Sequence, residues 1–162
     1  MPDPTADLET MVQDLQARVQ AMMQRLSDPQ INGIYVTACN LLRLGHADRA
    51  APMLSTLTVF RPERVQFWHA LGLCHRRLDE FAPAAAAFGR AFALAPAFLD
   101  CGLMQVEALL LQGLRAEATR LLDEVGSMAR AQNDAAAMLR ADGLRELIEG
   151  PSTCPMPITN SH

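Results

Sequence analysis

The chain has no lysine; its fourteen basic residues are all arginine, which we attribute to the codon bias of a GC-rich genome. With a formal charge of −4 it lacks the concentrated cationic face that phosphate binding needs, so a nucleic-acid partner is not expected. Aromatic residues number only eight. The four cysteines (Cys39, Cys74, Cys101, Cys154) show no CxxC spacing, and three lie in helical patterns. Reduced thiols in a cytoplasmic protein are the expectation, with no metal site. The longest apolar stretch, Phe81 to Leu99, carries Arg90 and is interrupted by Pro83 and Pro96, so insertion into a membrane is not expected. Residues Met1 to Glu9 are acidic and polar where a secretory leader would be charged and then apolar, so no leader is expected. Nucleophile elbows, phosphate loops, H-E-x-x-H helices and dinucleotide fingerprints are all missing, and neither an enzyme nor a cofactor is expected.

What is present favours helix. Half of the 162 residues are hydrophobic, rich in Ala, Leu and Met and poor in β-branched types. An internal period then organises the chain. Trp68, Leu71, Gly72 and His75 are followed by Ala84, Phe88, Ala91 and Pro96. This is the spacing W-x2-L-G-x2-Y, A-x3-F, P of the tetratricopeptide repeat, with His75 in the tyrosine place. Gly72 and Ala84 are small enough for two antiparallel helices to cross closely, Trp68, Leu71 and Phe88 fill the space between them, and Pro96 stops the second helix.

A shift of 34 residues brings Ala38, Ala50, Leu54 and Pro62 into the places of Gly72, Ala84, Phe88 and Pro96. Gly45 marks the turn between the helices of that repeat, with Asp48 as N-cap, and Gly113 takes the same turn place downstream, ahead of Ala118 and Leu122. The expected fold is therefore all-α: a solenoid of three helix-turn-helix repeats at about 31–64, 65–98 and 99–131. A capping helix over 134–149, started by Asp134, closes the repeat domain of 31–149. Ahead of it, in 1–30, Leu8, Val12, Leu15, Val19, Met22 and Leu26 form a heptad seam, with Ser27, Asp28 and Pro29 as its stop. That helix is assigned to dimerisation, to capping of the first repeat, or to both. The proline-rich tail 150–162 is expected to be disordered.

Roughly 140° around each first helix from its core stripe lies a second stripe, which curved stacking turns into the lining of a concave groove. It reads Asn32, Tyr35, Cys39 and Leu42; then Gln66, His69, Leu73 and Arg76; then Asp100, Leu103, Glu107 and Leu110. Six of these twelve are apolar, too many for a solvated face, and the mixture suits an extended peptide. A terminal helix folded back over the groove would instead turn the stripe into core. Arg76 either meets a carboxylate of the partner or is solvated, and Arg77 is expected at the surface. The neighbours Cys74 and His75 point about 100° apart on a helix, so they are not a thiol and its base.

From Ile31 to Val125 the chain resembles the class II chaperones of bacterial type III secretion, the LcrH/SycD-like chaperones of translocator proteins. The resemblance is carried by Gly33-Ile34-Tyr35 with Ala38, Gly45 and Ala50, by Leu54 to Val59 followed by Phe67 to Gly72, and by Glu107 to Gly113 followed by Ala118. It implies a cytoplasmic protein that captures hydrophobic translocators before export, holding an extended segment of the P-x-L-x-x-P kind in the groove, with Tyr35, Cys39 and Leu42 at places usually aromatic. It also implies a homodimer involving the N-terminal helix. A chaperone of a needle or tip-filament subunit, and a general scaffold that binds other proteins, are the alternatives.

Overall fold

The computed structural model describes residues 26–150 and, before them, positions 11, 13, 14, 17, 18 and 21. The seam residues Leu8, Val12, Leu15, Val19 and Met22 and the tail from 151 onward lie outside the described residues; Leu26 is described and packs partly buried against the first core. Seven helices follow in order: α1 Asp28–Arg43, α2 Ala47–Phe60, α3 Val65–Arg77, α4 Phe81–Leu94, α5 Leu99–Leu111, α6 Arg115–Gln132 and α7 Ala135–Glu149. No strand occurs among the described residues. Each helix packs on the next, and α7 also touches α5.

Two N-terminal signals act differently from expectation. Ser27, Asp28 and Pro29 start a helix rather than only stopping one: Ser27 is the N-cap of α1, its backbone N–H donating to the Gln30 side-chain oxygen at 3.0 Å. Pro29 sits in the first turn, where its missing N–H has no helical acceptor anyway. Asp48 is not an N-cap. His46 occupies that position, and Asp48 lies within the first turn of α2, where its charge still complements the positive end of the helix.

The 34-residue period reappears as geometry. Gly45 (φ +90°), Asp79 (φ +59°) and Gly113 (φ +80°) place one left-handed residue in each intra-repeat turn. Aspartate is among the few non-glycine residues that adopt this conformation readily, which is how Asp79 serves where its counterparts are glycine. Between repeats, Arg61 and Ala95 close their helices by donating backbone N–H groups to Leu57 and Ala91, each just before a proline. The third repeat has Arg130 where Pro62 and Pro96 stood. With no proline to stop it, α6 runs to 18 residues, against 14 in α2 and α4, and ends on left-handed Asn133. Asp134 then caps α7, its carboxylate accepting from the Ala137 N–H at 3.0 Å.

The small and large packing positions are closed to solvent: Ala38, Ala50, Leu54, Ala84, Phe88 and Ala118 are fully buried. A Cβ added to Gly72 would sit 2.6 Å from the Phe88 ring, so the crossing of α3 and α4 depends on the absent side chain. Trp68 only partly fills its expected role. It is half-buried between the two cores, and its indole N–H donates to the Pro62 carbonyl at 2.8 Å, pinning the turn that leads into its own repeat. One core joins α1, α2 and α3, reaching Ala87; the other runs from α4 to α7.

Candidate functional site: the second stripe

The stripe residues come to the first helices of successive repeats, α1, α3 and α5, but not on equal terms. Asn32 and Gln66 are exposed, and Tyr35, Cys39, His69, Leu73, Arg76, Glu107 and Leu110 are half-buried. Leu42 and Leu103, expected as lining, are 8% and 1% exposed and belong to the cores. Both are corrected to floor residues: leucines on the inner edge of the stripe are drawn into the seam where neighbouring helices meet. Leu103 belongs to the second core, which runs on into α7.

Tyr35 packs against Phe67 with ring centroids 5.1 Å apart. Burial, and secondarily its hydrogen bond to Cys39, pushes its hydroxyl up to about 12, so the phenol stays neutral. In the second repeat His69 lies between the rings of Phe88 and Phe98, at 6.1 and 5.6 Å. Its Nε2 is buried without a hydrogen-bond partner, 3.8 Å from the Asp100 carboxylate. Burial lowers the basicity of His69; Asp100 opposes that shift and Arg76 adds to it.

The charged members of the stripe are tied to one another. Arg76 meets Glu107 at 3.1 Å, and Arg140, from α7, meets Glu107 at 2.6 Å and also pairs with Asp100. Two arginines and two carboxylates thus form a neutral chain across α3, α5 and α7. Arg76 therefore serves an internal partner, and neither a free carboxylate contact nor simple solvation describes it. Arg77, expected only as a surface residue, is exposed yet donates to the Leu42 carbonyl, bridging α3 to the end of α1. Sequence reasoning does not find Arg140, because it lies outside the three-repeat stripe and no local pattern ties it to Asp100 and Glu107.

The neighbours Cys74 and His75 do not form a thiol–base pair. Cys74 is buried and its thiol is pushed up to about 11, mainly by burial, while His75 binds Glu80 at 2.6 Å. The buried thiol of Cys101 is pushed up to about 12 for the same reason. Among the described residues no cluster of His, Cys, Asp and Glu could hold a metal ion, and no helix is long and apolar enough to cross a membrane. A stripe that mixes half-exposed apolar groups with exposed amides offers chemistry for binding a chain.

The fold is that of a tetratricopeptide-repeat solenoid. It is shared with the yeast Sti1 TPR2AB domain solved in complex with pHsp90 (TM-score 0.79, 14% identity, 92% of this chain and 57% of that one). This chain thus spans little more than half of that Sti1 chain. It is likewise similar to a type III secretion complex from Aeromonas hydrophila (TM-score 0.72, 21% identity, 89% and 95% covered). A third similar structure is the Yersinia enterocolitica type III secretion chaperone SycD in complex with a peptide of the translocator YopD (TM-score 0.68, 20% identity, 76% and 95% covered). At these identities the likeness is one of fold. No family model and no curated protein matches the sequence.

Proposed function

We propose that this protein is a cytoplasmic chaperone of a type III secretion system, which holds an extended segment of a hydrophobic translocator in its concave groove and keeps that client soluble and secretion-competent. The observation that carries the reading is the stripe itself: Tyr35, Cys39, Leu73 and Leu110 are half-exposed apolar groups, bordered by the free amides of Asn32 and Gln66. Amides satisfy the backbone of a bound strand while apolar recesses take alternate side chains. The solved chaperone of similar fold that carries a translocator peptide supports the same assignment. A clamp for a partner's terminal carboxylate is disfavoured, since Arg76 and Arg140 already face Glu107 and Asp100.

The energetics suit a temporary hold. Covering about 300 Å² of apolar surface yields roughly 7 kcal/mol at about 25 cal/mol per Å². Association and ordering cost at least about 4 kcal/mol, so this apolar area alone gives only a weak hold, to which the amide contacts with the client backbone add, and the client is able to leave.

The test is co-expression with candidate type III secretion translocators, followed by affinity capture. The double variant Asn32→Trp, Gln66→Trp fills the groove at two exposed positions and should leave stability within about 0.5 kcal/mol of the parent. Capture of the translocator by the parent, and at least tenfold less by the variant, is the expected result. Equal capture by both would remove the concave stripe from consideration. Capture of a needle or tip-filament subunit in place of the translocator would reassign the client.

A further inference from the structure

The stripe does not stop at the third repeat. Because α6 runs past the missing proline, α7 begins 36 residues after α5. At that offset Asp100, Leu103 and Glu107 are matched by Ala136, Leu139 and Gly143. Leu139 is 75% exposed, and a Cβ built on Gly143 would meet nothing within 4 Å, so this side of α7 is open. Between α5 and α7 lies a cavity of about 170 Å³, bounded by Asp100, Leu103, Asp134, Ala136, Ala137 and Arg140. Leu103 is its floor.

We propose that this cavity is a further binding pocket of the groove, which takes one uncharged apolar side chain, leucine- to phenylalanine-sized, from the same client segment that occupies the groove. The proposal rests on the groove reading above and extends it onto α7.

Size and charge define the guest. An apolar cavity of about 150 Å³ accepts a benzene ring, so the volume here matches one large aliphatic or aromatic side chain. Each polar group on the wall is already engaged: Asp134 accepts from the Ala137 N–H, and Arg140 pairs with Asp100 and Glu107. An anionic guest would find no uncommitted cation and would lose its hydration, and Asp134, the one wall carboxylate without an ion pair, is held as the N-cap at the positive end of α7. Methyl groups of Leu103, Ala136 and Ala137 remain for an apolar one. Asp100 and Leu103 belong to both the stripe and the cavity wall, so the pocket adjoins the stripe.

The pocket can be tested without the client. Isotope-labelled full-length protein is titrated with N-acetyl-leucine amide and, separately, with N-acetyl-phenylalanine amide, while amide resonances are followed by NMR. Saturable shifts at Leu103, Ala136 and Ala137 are expected. The variant Ala136→Trp, at an exposed position, should weaken that binding at least tenfold with the remaining resonances unmoved. No saturable shift in that region, or an unchanged titration of Ala136→Trp, overturns the pocket. Shifts confined to Tyr35 and Leu73 likewise overturn it while leaving the groove reading intact. Conversely, failed translocator capture together with intact filling of the pocket sinks the groove reading, and with it the assignment of the guest to that client, while the apolar pocket itself stands.

Discussion

Single residues decide how closely the helices approach. Gly72 is the clearest case, since its missing side chain is the space that the Phe88 ring occupies. Gly72→Ala is expected to destabilise the protein by about 1–3 kcal/mol in denaturant unfolding, and Phe88→Leu added to it should recover part of the loss. Without such a recovery, backbone effects rather than the ring contact would be responsible.

His69 carries a pH dependence of definite sign. Its folded value lies below the ordinary 6.5, so between the two values the unfolded chain binds the proton and the folded chain does not. Stability from this group is complete above pH 6.5 and is lost as the pH falls toward the folded value, by at most about 1.4 kcal/mol per pH unit. The facing groups are Asp100 and Arg76, with Arg140 and Glu107 beyond them. His69→Gln should therefore lose less melting temperature than the parent between pH 7.5 and 5.5. Parallel losses in the two proteins would assign the acid sensitivity to carboxylates instead.

At the scale of elements, one absent proline has the largest effect. It lengthens α6, shifts the register of α7 by two residues, and so sets Arg140 over the carboxylates of α5. The network is about a third exposed, so its worth is modest. A double-mutant cycle of Arg140→Met and Glu107→Gln should give a coupling of about 0.5–1 kcal/mol at low salt, shrinking in 1 M NaCl. Zero coupling at low salt would make the ion pairs ornamental to the docking of α7.

For the whole molecule, two adjoining cores in a linear array mean that the ends must be covered. α7 covers one end. The heptad seam is the proposed cover, or the dimer contact, at the other. Leu15→Glu distinguishes the two: a lower mass by light scattering denotes a dimer through that helix, and an unchanged mass with a lower melting temperature denotes capping.

The repeat was legible because its signals are local and recur. Gly45 and Gly113 at turns, Pro62 and Pro96 after helices, and small residues at Ala38, Gly72 and Ala84 each report a steric requirement that only a few residue types meet. Which stripe residues stay open was less so. Leu103 holds the same repeat place as Tyr35, and Leu42 lies on the same stripe, yet periodicity assigns a direction around a helix but not the distance to the next one.

The sequence by itself determined the helices, their turns and the repeat that stacks them, since these depend on interactions within a few tens of residues along the chain. Only the tertiary structure decided that Arg76 and Arg140 neutralise the carboxylates of α5, that Leu103 is a floor, and that α7 borders an open cavity. Those outcomes depend on how far apart side chains from three helices come to rest. That distance is set by packing across the repeats, and no single segment encodes it.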